Sequence, residues 1–167
     1  ALRQYNFTFK AMACRNELSL YAKNKKTAKD IADNAIDAVN KLERNYSRYL
    51  PTSVLSKINA TAGNLEGLVV DNETAALLDY AQTCYQQSDG LFDITSGVLR
   101  NIWDFKQNKL PQQSQVDETL KLIGWNKLEW QSPKITLPIA GMELDFGGVV
   151  KEYAADSCAN YSRSQGV

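Results

Sequence analysis

The residues whose types and spacing are best suited to chemistry surround a double glycine. Asp145-Phe146-Gly147-Gly148 joins an apolar run to a predicted helix that carries Lys151 in its first turn. A helix N-terminus attracts anions through its unpaired N–H groups and dipole, and glycine lets a ligand approach the backbone closely. Lys151 would add a positive charge, and Asp145 would accept a hydrogen bond from the ligand. The pattern suits a phosphate or pyrophosphate, although such turns also occur only to satisfy backbone geometry.

A second candidate is the segment 88–95, in which Gly90 ends a helix and an aromatic ring, a carboxylate and a hydroxyl follow. Phe92 would stack on a ligand ring, and Asp93 would bind the edge of that ring. The alternative, which the pattern favours, is that Asp93 caps the next short helix while Phe92 packs in the core.

A third candidate is Tyr46-Ser47-Arg48-Tyr49, where aromatic residues flank a hydroxyl and a cation just before a proline. Aromatic clusters that follow a helix usually serve packing.

The double glycine matches neither the P-loop nor the G-x-G-x-x-G fingerprint, so neither nucleotide motif applies.

The composition argues against several classes of partner and site. Lys plus Arg and Asp plus Glu both number 19, so no basic excess favours nucleic acid. The sequence contains no histidine, which removes the commonest general base and transition-metal ligand. Cys14, Cys84 and Cys158 are widely spaced and odd in number, which indicates small core residues rather than a disulfide framework or zinc site. Any metal should therefore be a hard cation with oxygen ligands.

Short strands and amphipathic helices would position these groups. Alternating apolar residues at 5–9 and 18–22 predict two strands that pair as a hairpin. Thr27 is predicted to cap the first long helix, and Thr52 or Ser53 a short one. The buried face of the long helix is predicted to comprise Ala28, Ile31, Ala32, Ala35, Val39 and Leu42.

The remaining pattern predicts two more helices before the double glycine. The first of these helices would be capped by Asp71 or Asn72 and would end at Gly90. The second would be capped by Ser114 and would end at Gly124. Strand-like runs lie at 68–70, 127–130, 134–137 and 142–145, and a last helix is predicted over 149–164. Strands grouped toward both ends with helices between them favour an α+β fold.

Five stretches, in this order, resemble the ApbE family of FAD:protein FMN transferases. They are Met12-Ala13-Cys14, 43–59 (ERNYSRYLPTSVLSKIN), 88–95 (SDGLFDIT) with Trp103-Asp104-Phe105, 122–125 (LIGW), and 145–156 (DFGGVVKEYAAD). The last stretch is the most specific. The resemblance implies an ApbE-like, T-fold-related α+β domain with a mixed sheet and flanking helices. Residues 1–167 would be the N-terminal portion of this single flavin-binding domain, incomplete at its C-terminus.

The resemblance also implies an activity. A magnesium-dependent transferase would cleave the pyrophosphate of FAD, release AMP and join FMN to a threonine or serine of an acceptor flavoprotein, such as a membrane redox-complex subunit. FAD would be the substrate and Mg²⁺ the cofactor. By position in the motifs, Gly148 would touch the metal through its backbone carbonyl. The flavin-binding residues would be Met12, Tyr49, Leu91, Phe92, Asp93, Asp145 and Lys151.

Several departures from the family pattern qualify this expectation. Ala13 and Cys14 replace the usual glycine and threonine, and Glu152, which replaces a glycine, is expected to face solvent. The family continues with a second portion that supplies metal-binding Asp and Thr side chains. A flavin-binding module or fragment without transferase activity is therefore an alternative, and a purely structural fragment with exposed sheet edges is another.

The sequence alone does not determine the cellular compartment of the protein. The resemblance implies the bacterial periplasm or an anchor in the inner membrane. Residues 1–4 lack the apolar core of a signal peptide, so the cytoplasm is the alternative.

Overall fold

A computed structural model describes residues 1–104, 106–107 and 109–167. The chain divides into two compact units, one formed by Ala1–Asn45 with Val150–Val167 and the other by Tyr46–Val149. Among the described helices, none combines the length and apolarity that crossing a membrane requires.

The first unit packs a β-hairpin and two helices around a small core. Strands β1 (Arg3–Ala11) and β2 (Cys14–Ala22) pair antiparallel through a two-residue turn, as predicted. Helix α1 (Lys25–Asn45) contacts the hairpin and the last helix. The buried face of α1 consists of the six residues that the sequence predicts, because helical periodicity places them on one stripe. Leu20 and Ala22 of β2 pack against this stripe.

The described residues of the second unit form three helices and a three-stranded antiparallel sheet. The helices are α2 (Val54–Asn59), α3 (Asn72–Gln87) and α4 (Gln113–Leu120). Strands β3 (Leu68–Val69), β4 (Glu129–Gln131) and β5 (Lys134–Thr136) follow the order β3-β5-β4. Two 3₁₀ turns, Gly97–Asn101 and Trp125–Lys127, connect these elements. The fully buried side chains of this unit include Leu55, Ile58, Leu77, Leu78, Ile135, Leu137, Met142, Leu144 and Phe146.

Of the four helix N-caps predicted from the sequence, two agree with the structure. Ser53 caps α2 by accepting from the Ser56 N–H, and Asp71 caps α3 by accepting from the Thr74 N–H. The predicted cap at Thr27 is wrong, because Asn24 accepts from the N–H of Thr27 and α1 starts earlier.

The cap predicted at Ser114 is also wrong. The fourth helix begins at Gln113, and the Gln115 side chain accepts from the N–H of Gln112. In this helix Thr119 is buried, whereas Leu120 is 50% exposed.

Three further expectations differ in detail. The segment 142–145 alternates buried and half-buried residues like a strand, but it forms only an isolated parallel bridge between Glu143 and Ser96. Cys14 is exposed rather than in the core, because it begins β2 directly after the turn. The final helix, α5 (Val150–Ser164), starts one residue later than predicted, and the α+β class is confirmed.

Candidate functional site

A cavity of about 310 Å³ in the second unit brings together most of the predicted site residues of that unit. Such a volume lies at the lower end of the range of small-molecule sites. The lining includes Leu91, Phe92, Asp93, Ile94, Ser96, Gly97, Arg100, Asp145, Gly147 and Gly148. Tyr49, which also belongs to this unit, is not among the described lining residues, and its side chain is 78% exposed.

The second glycine of the pair, Gly148, is required by the ring of Phe92. A Cβ atom on Gly148 would lie 2.7 Å from Cε2 of Phe92, closer than real carbon contacts allow. A Cβ on Gly147 would meet only the Oδ1 atom of Asp145, at 3.0 Å. Neither glycine has a positive φ. Close approach of an aromatic ring, rather than an unusual backbone conformation, is therefore the reason for glycine at 148.

Asp145 lies at the centre of a small network of charges. Its Oδ1 accepts from the Gly147 N–H at 2.8 Å, which shapes the start of the glycine turn. Its Oδ2 lies 3.3 Å from Nη1 of Arg48 and 3.4 Å from Nε of Arg100. Arg48 also approaches Glu143, with an Nη2 to Oε2 distance of 3.9 Å. Two arginines thus balance two carboxylates beside the cavity.

The backbone that carries Asp145 is held by side chains as well as by neighbouring backbone. The Asn59 amide accepts from the Leu144 N–H at 2.8 Å and donates to the Leu144 carbonyl at 3.1 Å. The Asp145 N–H donates to the carbonyl of Ile94 at 2.9 Å. These bonds replace a strand ladder, so the segment stays extended and its buried polar groups are paired.

Gly97 allows this close packing. A Cβ atom at this position would lie 2.8 Å from the carbonyl carbon of Leu144 and 2.9 Å from the carbonyl oxygen of Glu143. The absence of a side chain lets the wall of the cavity approach the segment that carries Asp145.

Asp93 makes structural hydrogen bonds with both of its oxygens. Oδ1 accepts from the N–H and the hydroxyl of Thr95 at 2.9 and 2.6 Å, and Oδ2 accepts from the N–H of Trp125 at 2.9 Å. The Thr95 hydroxyl in turn accepts from the N–H of Gly124 at 2.8 Å. Asp93 is therefore not a free carboxylate, but its predicted capping of the next short helix is wrong, because Ser96 occupies the N-cap of Gly97–Asn101. Phe92 is only half-buried and lines the cavity.

Met12 and Lys151 belong to the first unit, where both line a separate cavity of about 410 Å³. Met12 and Ala13 form the tip of the hairpin with φ values of 53° and 60°. The Met12 N–H donates to Oε1 of Glu43 at 2.9 Å, which ties the tip to the end of α1. Lys151 and Glu152 are exposed in the first turn of α5, as predicted for Glu152.

The burial of a thiol in the same cavity has a chemical consequence. Cys158 contacts the Ala35 carbonyl with its Sγ at 3.6 Å. Desolvation by burial raises the pKa of Cys158 above its ordinary value of 9.0, so the thiol stays protonated at neutral pH.

The described residues do not by themselves fit a magnesium ion. They contain no group of three or more His, Cys, Asp or Glu side chains arranged to hold a metal. Both Asp145 and Asp93 direct their oxygens at N–H donors or arginines. A single carbonyl at Gly148 cannot satisfy the octahedral shell of magnesium.

Sequence reasoning assigned no role to Arg48, Arg100, Asn59 or Gly97. Arg48 stood in a candidate segment, but its partner Asp145 lies 97 residues away in the sequence. Asn59 and Leu144 are 85 residues apart. The only available signal was the presence of Arg48 and Asn59 within the matched stretch 43–59.

A protein family and several known proteins match most of the chain. The ApbE family matches residues 12–167. An FAD:protein FMN transferase of Chlamydia pneumoniae is 34% identical over 146 residues, covering 85% of this chain and 45% of the relative. A protein of the same name from Chlamydia muridarum is 30% identical over 136 residues, covering 79% of this chain and 42% of the relative.

Solved structures show the same fold. An ApbE protein of Thermotoga maritima superposes with a TM-score of 0.88 at 23% identity, covering 98% of this chain and 53% of the neighbour. The flavin transferase ApbE of Vibrio cholerae superposes with a TM-score of 0.88 at 20% identity, covering 99% of this chain and 55% of the neighbour. The chain spans about half the length of the curated relatives and structures that it matches.

Proposed function

The chain belongs to the ApbE family, and on this premise we propose that it supplies part of an FAD:protein FMN transferase. The observation that carries the proposal is the family match over residues 12–167, together with the FAD:protein FMN transferase names of the curated relatives. The cavity lined by Phe92, Asp145 and Gly148 supports it, because an aromatic ring, a carboxylate and a glycine turn meet there.

The proposed reaction is a phosphoryl transfer. A serine or threonine hydroxyl of an acceptor flavoprotein attacks the FMN phosphorus of FAD, a new P–O bond forms, and the pyrophosphate P–O bond breaks. AMP leaves with the electron pair of the broken bond, and the hydroxyl proton passes to a base. None of the 167 residues given is a histidine, so no histidine of this stretch serves as that base. Reactions of this type depend on positioning and charge neutralisation more than on covalent catalysis.

The residues of this chain would bind and orient the flavin substrate. We assign Leu91, Phe92 and Asp145 to flavin contacts in the second unit, where all three line one cavity. Asp93 would act there mainly by shaping the cavity wall, since both of its oxygens are bonded to the protein. Tyr49 stays in the proposal as an exposed aromatic surface that a ring would cover.

In the first unit, Met12 and Lys151 are the residues assigned to flavin contacts. Lys151 is exposed in the first turn of α5, where a positive side chain and the helix dipole both favour an anion. We assign it to the phosphate side of the substrate. The hairpin tip, which a hydrogen bond to Glu43 ties to α1, would present Met12.

Magnesium dependence belongs to the proposal only for a longer protein. Phosphoryl transfer gains from a divalent cation that neutralises charge on the phosphates. Because the described residues do not form a metal site, no step is assigned to the ion here. Gly148 would contribute at most one carbonyl ligand.

The acceptor and the compartment are also proposals. A flavoprotein that presents a threonine or serine, such as a subunit of a membrane redox complex, would receive FMN. The bacterial periplasm or the face of the inner membrane is the proposed location.

A second function also fits the described residues. A module that binds FAD without transferring FMN requires the cavity but not a cation site. The described residues provide the cavity and no cluster of metal ligands. Binding that is indifferent to magnesium, without release of AMP, would distinguish this function from transfer.

The test is to incubate the chain with FAD and a threonine-containing acceptor peptide, with and without magnesium, and to separate FAD, FMN, AMP and flavinylated peptide. Magnesium-dependent AMP and modified peptide would establish transferase activity in this chain. Intact FAD with measurable binding would support the binding module. A complete homologous protein that leaves the peptide unmodified under the same conditions would contradict the transferase proposal.

The Lys151 assignment has its own comparison. Lys151→Ala should weaken binding of FAD while leaving riboflavin, which has no phosphate, unaffected. Equal losses for both ligands would contradict a role at the phosphate.

A further inference from the structure

The carboxylate of Asp145 is held from outside the cavity that it lines. Arg48 pairs with Asp145 Oδ2 at 3.3 Å, and the two side chains are 21% and 22% exposed. Arg48 is not among the described residues that line the cavity. We infer that Arg48 is a positioning residue, which orients the Asp145 carboxylate for a flavin ligand. This inference rests on the proposed flavin-binding function.

The local backbone donates to only one oxygen of this carboxylate. The segment 142–145 lacks a strand ladder, and Asn59 and Ile94 hold only its main chain. Oδ1 of Asp145 is committed to the Gly147 N–H. The direction of Oδ2 is therefore set by the cations that reach it.

Arg48 suits this task because of the shape of its guanidinium group. Nη1 faces Asp145, while Nη2 lies 3.9 Å from Oε2 of Glu143. A planar group with donors at fixed separation can hold two neighbouring carboxylates at once, whereas an ammonium group acts as a single point charge. Glu143 is itself fixed by a 2.9 Å hydrogen bond from Asn101.

Arg100 reaches the same Oδ2 atom but is a weaker constraint. Its Nε lies 3.4 Å away, and its side chain is 54% exposed, compared with 21% for Arg48. Solvent and salt screen exposed pairs more strongly than shielded pairs. Arg100 also lines the cavity, so it would share Asp145 with an incoming ligand.

Loss of Arg48 should therefore redirect Asp145 toward Arg100. Arg48→Met should lower FAD affinity on the order of tenfold, the scale of coupling between contacting residues. Arg48→Lys should recover part of this affinity, because one ammonium group can still pair with Asp145 but cannot also hold Glu143 in the same geometry.

The test is a double-mutant cycle on the 167-residue chain, with FAD affinity measured by flavin fluorescence. The four proteins are the original chain, Arg48→Met, Asp145→Asn and the double variant. If Arg48 acts through Asp145, its substitution should have little further effect once Asp145 is replaced. Additive losses, or an unchanged affinity for Arg48→Met, would overturn the inference.

The cycle separates this inference from the proposed function. If Asp145→Asn binds FAD as tightly as the original chain, the proposed site itself is wrong. If Asp145→Asn weakens binding but Arg48→Met does not, only the positioning role is wrong. Lys57→Met, which removes an exposed cation from α2, is the control for general loss of positive charge and should leave affinity unchanged.

Hydrogen exchange gives a measurement that needs no ligand. The Gly147 N–H is bonded to Oδ1 of Asp145, so a displaced carboxylate should speed its exchange in Arg48→Met. The Trp125 N–H, bonded to Asp93, should keep its protection. Equal loss of protection at both amides would indicate general unfolding and would contradict a specific positioning role.

Discussion

Among the described glycines that line the cavity, Gly148 would make the closest contact if it carried a side chain. An added Cβ would lie 2.7 Å from Cε2 and 3.2 Å from Cζ of Phe92. Gly148→Ala should therefore displace this ring, lower the free energy of unfolding by about 1–3 kcal/mol and weaken FAD binding. Denaturant unfolding and FAD titration measure the two effects.

Gly147→Ala is the matched comparison, because its Cβ would meet only Oδ1 of Asp145 at 3.0 Å. Its effect on stability should be smaller. Equal destabilisation by both substitutions would mean that the backbone, and not the Phe92 ring, requires glycine.

Ala13 adopts a conformation that favours glycine. Its φ is 60°, in the left-handed region, at the tip of the hairpin. Ala13→Gly should raise the free energy of unfolding by about 0.5–1 kcal/mol, because relief of the left-handed strain outweighs the extra entropy of the unfolded chain. Ala38→Gly, on the exposed side of α1, should instead destabilise by about 1 kcal/mol. If urea titrations showed that Ala13→Gly lowers the free energy of unfolding, the inferred backbone strain at Ala13 would be contradicted.

Cys158 makes stability depend on pH above neutrality. Burial raises its pKa in the folded state above the ordinary value of 9.0, so the unfolded chain loses this proton first as pH rises. The stabilisation is complete below the unfolded pKa and is lost as pH rises through the folded pKa.

Replacing Cys158 by alanine should therefore flatten the fall in stability above about pH 9. Thermal unfolding across that range gives the measurement, and Cys14→Ala, at an exposed position, is the control. An unchanged slope in the Cys158 variant would show that other groups cause it.

At the level of secondary-structure elements, the segment 142–145 depends on a side chain in place of a neighbouring strand. Asn59 pairs with both the N–H and the carbonyl of Leu144. Asn59→Ala should lower the free energy of unfolding by about 2 kcal/mol, because two largely shielded polar groups lose their partner.

Asn64→Ala provides the control in denaturant unfolding. Asn64 accepts a single exposed bond from the N–H of Glu66, so its loss should cost less than about 1 kcal/mol. If the two variants were equally stable, Asn59 would not be holding the segment.

For the whole molecule, the two compact units predict selective unfolding. Ala154 is 4% exposed in α5 of the first unit, whereas its neighbour Ala155 is exposed. Ala154→Asp would bury a charge and should destabilise the first unit by several kcal/mol. Ala155→Asp should have little effect.

Native-state hydrogen exchange would locate that loss. Protection should fall in α1 and in the hairpin, while amides in α3 of the second unit keep theirs. A uniform loss across the chain would mean that both units unfold as one cooperative body.

The sequence by itself determined the local features of this protein. Helical periodicity identified all six buried residues of α1, and short polar side chains identified the caps at Ser53 and Asp71. These features depend on neighbours within a few residues, where side-chain spacing and backbone geometry are directly linked. The ordered motifs also led to the ApbE family, which the comparisons confirm. The individual ligand-binding roles remain predictions.

Only the tertiary structure decided how the candidate site is held together. The contacts of Arg48 with Asp145, of Asn59 with Leu144, and of Phe92 with Gly148 join distant parts of the sequence. Local periodicity carries no information on which distant groups meet, because such pairing depends on how helices and loops pack in three dimensions. For the same reason the sequence could not show that both oxygens of Asp93 serve the cavity wall.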